Sequence, residues 1–505
     1  MKSFLQRFGS LVLGVLSGFD RLVFRGKLCP LYAPEGMNSY LAANKVLRKD
    51  FDKHAHEVTQ KVLQASLIEH AKATDRFAYL PSTNIDKDQV ARSYAVKHKV
   101  SQGLVCVLQC VEPCWSFTLE SPNHVLTVQG KQRKCSHLYH YFIDPLVGWM
   151  YVRLQTWFPF EMQVYVNGRE WLAQQLRRHG SRFTQVDNCV FDIEDLGLAQ
   201  RLLRQLDTRP WARVLRVFAT RVNPLLRGHQ LRPYYWSLDE SEYATDVLFR
   251  DRASLQTVYP TLVAHAFQHF HTPDVLRFFG RPCTARTVEV TTRVQRRLEG
   301  VRVKHWVAEN SLKMYDKLGQ VLRVETTLNQ PRRFKVYRAT APGTARHWVH
   351  LRKGIADISR RVVLSQATNA RYLDALSVVA LPTPVAQLLD PVSRRRIVNG
   401  RPYRPLRPIT VEESRCFARM LDGRALLDGV RARDPREGLS APPPTDPADH
   451  RRLTARVSRL LRLYRAHNLI AKVARTRVYR VTPKGQQVMT AALACRAATL
   501  EHLAA

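Results

Sequence analysis

Acidic side chains are scarce in this chain of 505 residues: 42 Asp and Glu stand against 79 Lys and Arg, a formal net charge of +37. Lysine is missing altogether between Cys135 and Val303, so the basic charge of that stretch is carried by arginine. There is no Gly-x-x-x-x-Gly-Lys-Ser/Thr loop, which disfavours a P-loop motor, and no Gly-x-Ser-x-Gly elbow of a serine hydrolase. No collagen, heptad or short-period repeat is visible, and 22 Gly and 27 Pro are ordinary numbers, which excludes fibrous and low-complexity classes. Beyond residues 8–19, which follow Lys2 and Arg7 in the manner of a short leader, no apolar run is long enough to span a bilayer.

What is present argues for a large folded protein with an anionic partner. Hydrophobic residues make up 45% and aromatic residues 9%, too much for disorder, and the length suits roughly three domains. Self-repulsion at +37 works against compaction, and a polyanion relieves it. Arginine forks grip phosphate with two parallel hydrogen bonds, although codon bias enriches arginine as well. The apolar stretch at 8–19 runs straight into Asp20-Arg21 with no cleavage region, and nine cysteines is an odd number, so a cytoplasmic protein with reduced thiols and no membrane partner is expected.

Periodicity gives an α+β, multidomain chain with antiparallel sheets and flanking helices. Residues 37–72 read as helices, and 103–110, 115–119, 137–142, 149–155 and 162–166 as strands, with a turn at Asp144 to Gly148. Asn167-Gly168 opens a helix that Gly180 ends; 195–222 reads as two helices, 252–271 as another, 300–328 as strands and 345–380 as helical. Two Pro-rich, Arg-rich segments, Pro391 to Pro408 and Ala441 to Pro447, punctuate the end. The expected domains are 1–195, an N-terminal domain with an antiparallel sheet; 196–390, a central domain with a basic meander; 391–410, a linker; and 411–505.

Residues 448–490 carry the clearest local pattern: an amphipathic helix (Leu453, Val457, Leu460, Leu461, Tyr464), His467-Asn468-Leu469-Ile470, a basic turn at Arg475 to Arg477, a strand to Val481, and Thr482-Pro-Lys-Gly485 opening a last helix. This order resembles a winged-helix domain, with 411–439 supplying the preceding helices. Arg451, Arg452, Arg456, Arg459 and Arg462 fall along one side of the helix, and Arg475 and Arg477 sit at the hairpin tip, enough to neutralise several phosphates. Winged helices also bind proteins, and a charged stripe is often only a solvated face. The sequence reading favours nucleic acid, DNA or RNA, with Arg394, Arg395, Arg396, Arg302 and Lys304 as further contacts.

The strands at 301–307, 312–317 and 321–328 alternate so that Val301, Val303, Val307, Leu312, Met314, Leu322, Val324 and Leu328 share an apolar face. The opposite face collects Arg302, Lys304, Lys313, Tyr315, Lys317, Arg323 and Glu325. Cationic neighbours favour a phenolate, a carboxylate can carry a divalent metal, and tyrosine can take a strand end covalently. The pattern Tyr-x-Lys with Arg-x-Glu on neighbouring strands is similar to one in rolling-circle replication initiators, notably the trans-acting initiators of small plasmids. With Lys313 added on the phosphate and Asp246 beside the metal from the residues themselves, the resemblance, carried on Tyr315, Lys317, Arg323 and Glu325, implies a DNA nickase with Tyr315 as nucleophile, Lys317 and Arg323 on the phosphate, and Mg²⁺ or Mn²⁺ on Glu325. It touches about thirty residues. The His-hydrophobic-His pair of related relaxases has counterparts only in His54-Ala-His56 and His269-Phe-His271, both in stretches read as helical. The structural alternative for the whole face is a solvated, salt-bridged sheet surface.

Cys106, Cys110 and Cys114 with Cys135, His137 and His140 offer soft ligands, but not at zinc-knuckle spacing, and buried thiols are expected there instead of zinc. Asp239, Glu240, Glu242, Asp246 and Asp251 could bind Mg²⁺ or balance nearby Arg232, Arg250 and Arg252. Three functions remain: a DNA-processing protein of a mobile element that nicks through a tyrosine, replication-initiator or transposase-like; a non-catalytic winged-helix regulator; and a transposase or nuclease using metal-bound carboxylates.

Overall fold

The computed structural model describes residues 1–498 except 72–74, 122–125, 228–230, 232, 284–289, 298–299, 340–342, 380–384 and 440–445. Most of the second Pro-rich segment, and Arg232, therefore lie outside the described residues. The fold is α+β, and no described helix is long and apolar enough to cross a membrane. All nine cysteines are free thiols.

Two compact units emerge, each built from segments distant in sequence: Leu16–Ala244 with Thr327–Val363, and Met1–Val15 with Thr245–Thr326 and Leu364–Ala505. The division falls inside the strands Val12–Lys27, Tyr235–Phe249 and Val321–Leu328 and the helix Ile358–Leu376. It does not follow the loops near residues 195 and 390, where local punctuation suggests domain ends. A strand shared by two units carries no turn residue to mark the change.

The first unit is built on a sheet ordered Tyr235–Phe249, Val12–Lys27, Met162–Asn167, Gly148–Gln155, Thr127–Asp144, Gly103–Glu120 and Phe77–Leu80. Pairing is antiparallel from Val12–Lys27 to Gly103–Glu120, and the last strand joins in parallel. The two strands expected at 103–110 and 115–119 are one, bent by a bulge between Leu104 and Cys106. Pro113 sits within it because Phe77–Leu80 pairs only with Val107 to Cys110, leaving the edge beside Pro113 without a ladder to break. The expected turn is present: Asp144 Oδ1 accepts the N–H groups of Leu146 and Val147 at 2.7 and 3.2 Å, and Gly148 takes φ +74°. Asn167 likewise caps the helix Gly168–Arg178. The helices Leu196–Asp207 and Trp211–Val222 bury Leu202, Leu203, Leu206, Val214, Leu215 and Phe218.

In the second unit the strands Val290–Arg297, Gly300–Val307, Asn310–Lys317 and Val321–Leu328 follow one another, with the end of Tyr235–Phe249 beside the last. Turns with positive φ at Ala308 (52°), Leu318 (62°) and Gly319 (77°) join the meander. Asn369, on the helix Ile358–Leu376, accepts from Thr326 Oγ1 at 2.6 Å and donates to Thr245 Oγ1 at 3.2 Å. That helix covers only part of the stretch expected as helical at 345–380, since His347–His350 is a strand paired with Lys335–Arg338.

After residue 384 the same unit ends in a module with six helices, the first Val385–Leu389, and two small hairpins among the described residues. Helices Val411–Met420, Gly423–Asp428, Arg433–Leu439 and Pro447–Ala466 precede the hairpin Ile470–Lys472/Tyr479–Val481, and the helix Pro483–Ala497 closes it. Val430 joins the hairpin through an isolated antiparallel bridge to Tyr479. Thr482 Oγ1 accepts from Gly485 N at 2.9 Å, and a Cβ on Gly485 would stand 1.9 Å from Leu469 O, which explains the Thr-Pro-Lys-Gly run. The stretch expected as a linker belongs to this core: Val392 and Leu406 are buried with Phe417, Met420, Val457, Tyr464 and Val488. Between them Arg396–Val398 and Arg401–Tyr403 form a hairpin around Asn399-Gly400, both at positive φ.

Candidate functional site

The meander's register sets Tyr315 opposite Arg302 and Lys313 opposite Lys304. The apolar face forms as alternation requires, with Val303, Val307, Leu312, Met314, Leu322, Val324 and Leu328 buried. The polar face is drier than expected. Every residue of Val321–Leu328 is buried, so this is a central strand, and Glu325 is fully enclosed.

Three of the expected residues converge on one another. Tyr315 donates its phenolic hydrogen to Glu325 Oε2 at 3.1 Å, and Lys313 Nζ lies 2.7 Å from Glu325 Oε1. The ammonium also stands 5.8 Å from the centre of the Tyr315 ring. A desolvated carboxylate held by one cation and one phenol is a group that can accept the phenol's proton, and the remaining ammonium is suited to a phosphate oxygen.

The other expected members go elsewhere. Arg323 donates through Nε to Asp246 Oδ1 at 2.6 Å and through Nη2 to Oδ2 at 3.0 Å, with both side chains out of water. Both Asp246 oxygens are thus held by the guanidinium, so this pair presents no open ligand to a cation or a phosphate. Lys317 is buried. Arg302 donates to Gln295 Oε1 at 2.6 Å, and Lys304 Nζ lies 3.5 Å above the Trp306 ring.

The acidic run 239–246 finds arginine partners among the described residues, which do not include Arg232. In the first unit, Arg21 bridges Glu240 and Glu242, the latter at 2.9 Å, and Arg25 reaches Asp239 at 3.4 Å. Asp251 caps the helix Arg252–Gln268 through Ser254 N at 2.7 Å. Carboxylate oxygens of Asp20 and Glu242 come within 4.8 Å of each other, both buried. Asn188 donates to both Asp20 oxygens at 2.9 and 3.0 Å, and Arg169 Nε lies 3.7 Å away. Asn188 and Arg169 on Asp20, and Arg21 on Glu242, already engage these two carboxylates from within the protein. Sequence reading missed Asp20; its one signal is a carboxylate set between apolar Phe19 and Leu22.

The soft ligands scatter. Cys106 and Cys110 pack with Leu80, Ala91 and Tyr141, while His140 bonds Ser66 at 3.1 Å and His137 bonds Arg153 at 3.2 Å. Cys135 shares a hydrogen bond with Cys114, which holds its thiol down to about 7. The histidines of the two His-hydrophobic-His pairs lie within or at the ends of helices.

On the C-terminal module, Leu453, Val457, Leu460, Leu461 and Tyr464 face inward as expected. Arg451, Arg452, Arg456 and Arg459 are exposed on the other side, as are Arg475 and Arg477 on the hairpin between Lys472 and Tyr479. Arg452 pairs with Asp449 at 3.2 Å and Arg456 with Glu412. Arg394 and Arg395 are exposed and Arg396 half-buried. One feature was not foreseen: Arg401, Arg404, Arg456, Arg459 and Arg462 line a cleft of about 450 Å³ between the helix Pro447–Ala466 and the hairpin Arg396–Val398/Arg401–Tyr403, against the single carboxylate Glu412. Five guanidinium groups around one open cleft have the chemistry to suit phosphate, although Arg404 also pairs with Glu413 at 3.0 Å.

No protein-family model matches the chain, and neither a curated protein nor a solved structure is significantly similar to it.

Proposed function

We propose that this protein binds DNA through its C-terminal module, acting as a winged helix, and nicks one strand with Tyr315, as a DNA-processing protein of a mobile element. The observation that carries the reading is the hydrogen bond of 3.1 Å from Tyr315 to Glu325, with Lys313 on the other carboxylate oxygen. In the reaction the Tyr315 oxygen bonds to phosphorus and its proton passes to Glu325, while the bond from phosphorus to the bridging oxygen breaks and that oxygen takes a proton from water to leave as a free hydroxyl. Lys313 offsets charge on the phosphate. Mg²⁺ or Mn²⁺, when bound, would polarise the phosphate, with Glu325 as the carboxylate nearest the tyrosine.

Support for the DNA contact is the exposed arginine set and the order of helices and hairpin in the module. A second reading, a non-catalytic DNA-binding regulator, is favoured by the complete burial of Glu325, since a closed ion pair also stabilises a sheet. Incubation with Mg²⁺ or Mn²⁺ and a library of single-stranded sites separates the two. A protein–DNA adduct stable on a denaturing gel supports nicking, and DNA binding with neither adduct nor cleavage supports the regulator.

A further inference from the structure

The first unit holds a cavity of its own, whose chemistry differs from that of the arginine cleft. It measures about 590 Å³, within the range of small-molecule sites, and its wall is mainly apolar. The helix Trp211–Val222, the start of the strand Tyr235–Phe249 and the segment 352–357 frame it, with Arg338 reaching in from the strand Lys335–Arg338. The frame is preformed. Leu238 N donates to Lys353 O at 2.7 Å, Ser237 bridges to Gly354, and Arg352 N donates to Asp357 Oδ2 at 2.9 Å. Gly26 leaves the room that Trp236 occupies, since a Cβ there would stand 2.8 Å from the indole.

Its lining combines flat rings with a poorly matched cation. Trp236 is buried against the pocket and Tyr235 is 56% exposed. Arg338 keeps only 11% of its side chain in water, yet among the described residues Nε and Nη2 have no hydrogen-bond partner, and Nη2 approaches Asp357 only to 3.7 Å. Those two nitrogens form the edge of the guanidinium fork that takes a phosphate with two parallel bonds. Asp357 does not use up the positive charge, because Arg360 already holds it at 2.9 Å. Arg216 and Arg352 add two exposed cations to the same pocket.

We propose that this pocket binds one nucleotide, the base against Tyr235 and Trp236 and the phosphate on the Arg338 fork, with Arg216 and Arg352 beside it. Aromatic faces accept any base, and the buried guanidinium selects an anion over a neutral nucleoside. The same chemistry is offered by a free nucleotide and by one residue of a single strand. Its lining contains neither Tyr315 nor any of the C-terminal arginines, so the proposal stands whether or not the chain nicks DNA.

Calorimetric titration of the full chain with dAMP, with deoxyadenosine and with a twelve-residue oligo(dT) tests it. To remove the module's own DNA contacts, the oligonucleotide arm uses a background carrying Arg401→Glu, Arg404→Glu, Arg475→Glu and Arg477→Glu. dAMP should bind at least about tenfold more tightly than deoxyadenosine, and Arg338→Gln should abolish that advantage. Ala356→Trp, on an exposed position of the rim, should block the pocket while leaving the thermal transition of the protein in place. Binding of dAMP lost in both variants assigns a free nucleotide. Binding of the oligonucleotide alone, lost in both variants, assigns a strand residue. No binding of either, or binding indifferent to Arg338→Gln and Ala356→Trp, overturns the proposal.

Discussion

Arg323 and Asp246 meet through two hydrogen bonds of 2.6 and 3.0 Å, 77 residues apart in sequence and both out of contact with water. Such a pair is balanced as a whole and costly when halved, because the charge left behind has no solvent. Asp246→Asn or Arg323→Met should therefore destabilise the protein by about 3–5 kcal/mol. Replacing both together by Met and Leu should recover most of the loss. Denaturant melts of the three variants measure this, and a single substitution that leaves the midpoint unchanged would refute the closed pair.

Glu325 has a different relationship with Tyr315, and the two variants there should separate chemistry from structure. Tyr315→Phe removes only the hydroxyl, so the covalent adduct should vanish while DNA affinity and melting temperature stay near those of the parent. Glu325→Gln retains shape but cannot take the proton, and adduct formation should slow roughly 10²–10⁴-fold. An adduct that persists in Tyr315→Phe reassigns the nucleophile. Cleavage without any adduct points to water and the buried carboxylates.

Much of this site was legible in the sequence and part of it was not, for a reason the strand Val321–Leu328 makes concrete. Period-two alternation sorted Leu322, Val324 and Leu328 from Arg323 and Glu325 correctly. It could not tell whether the polar side met water or other polar groups, because both give the same pattern. All eight positions turned out to be buried. The partners of Glu325 lie ten and twelve residues away on the adjoining strand, within reach of hairpin reasoning, and those were found. Asp246 with Arg323, Glu242 with Arg21 and the pairing of Asp20 with Asn188 depend on contacts between distant segments, which no local rule supplies. The C-terminal module was read well for the opposite reason: its caps, turns and amphipathic helix follow one another along the chain. What was missed there is the hairpin around Asn399-Gly400, hidden in a run of prolines and arginines.

The C-terminal arginines make a prediction about salt. If six or more phosphates are contacted, raising salt from about 50 to about 200 mM should weaken binding by roughly 10³-fold or more. Arg475→Glu with Arg477→Glu tests the hairpin tip, and Arg401→Glu with Arg404→Glu tests the cleft. Each pair should weaken binding across all sequences and flatten the salt dependence. A flat salt response in the parent would remove the polyanion from the account, and indifference to one pair would confine the contact to the other.

Stability should also fall in mild acid, and the histidines say where. Burial lowers His137, His140, His265 and His305 to about 4, so the folded protein keeps them neutral well below the ordinary value near 6.5. Between about pH 6.5 and 4 the unfolded chain binds protons at these four positions that the folded chain refuses, so the unfolding free energy drops as pH falls. Each contributes at most about 1.4 kcal/mol per pH unit. Asp207 works the other way: burial raises its carboxyl to about 7, so the folded state holds a proton that the unfolded state has released. Burial raises Asp274 and Asp434 in the same direction as Asp207, but it lowers His269 and His467 with the other four, so six imidazoles against three carboxyls leave a net loss of stability on acidification. Urea unfolding at pH 7, 6 and 5 should give midpoints that decline in that order. Asp207→Asn should raise stability at pH 7 relative to pH 5, because it removes a carboxyl that has to be protonated or buried charged. A midpoint that holds constant from pH 7 to 5 would mean that the four imidazoles are not sealed from solvent.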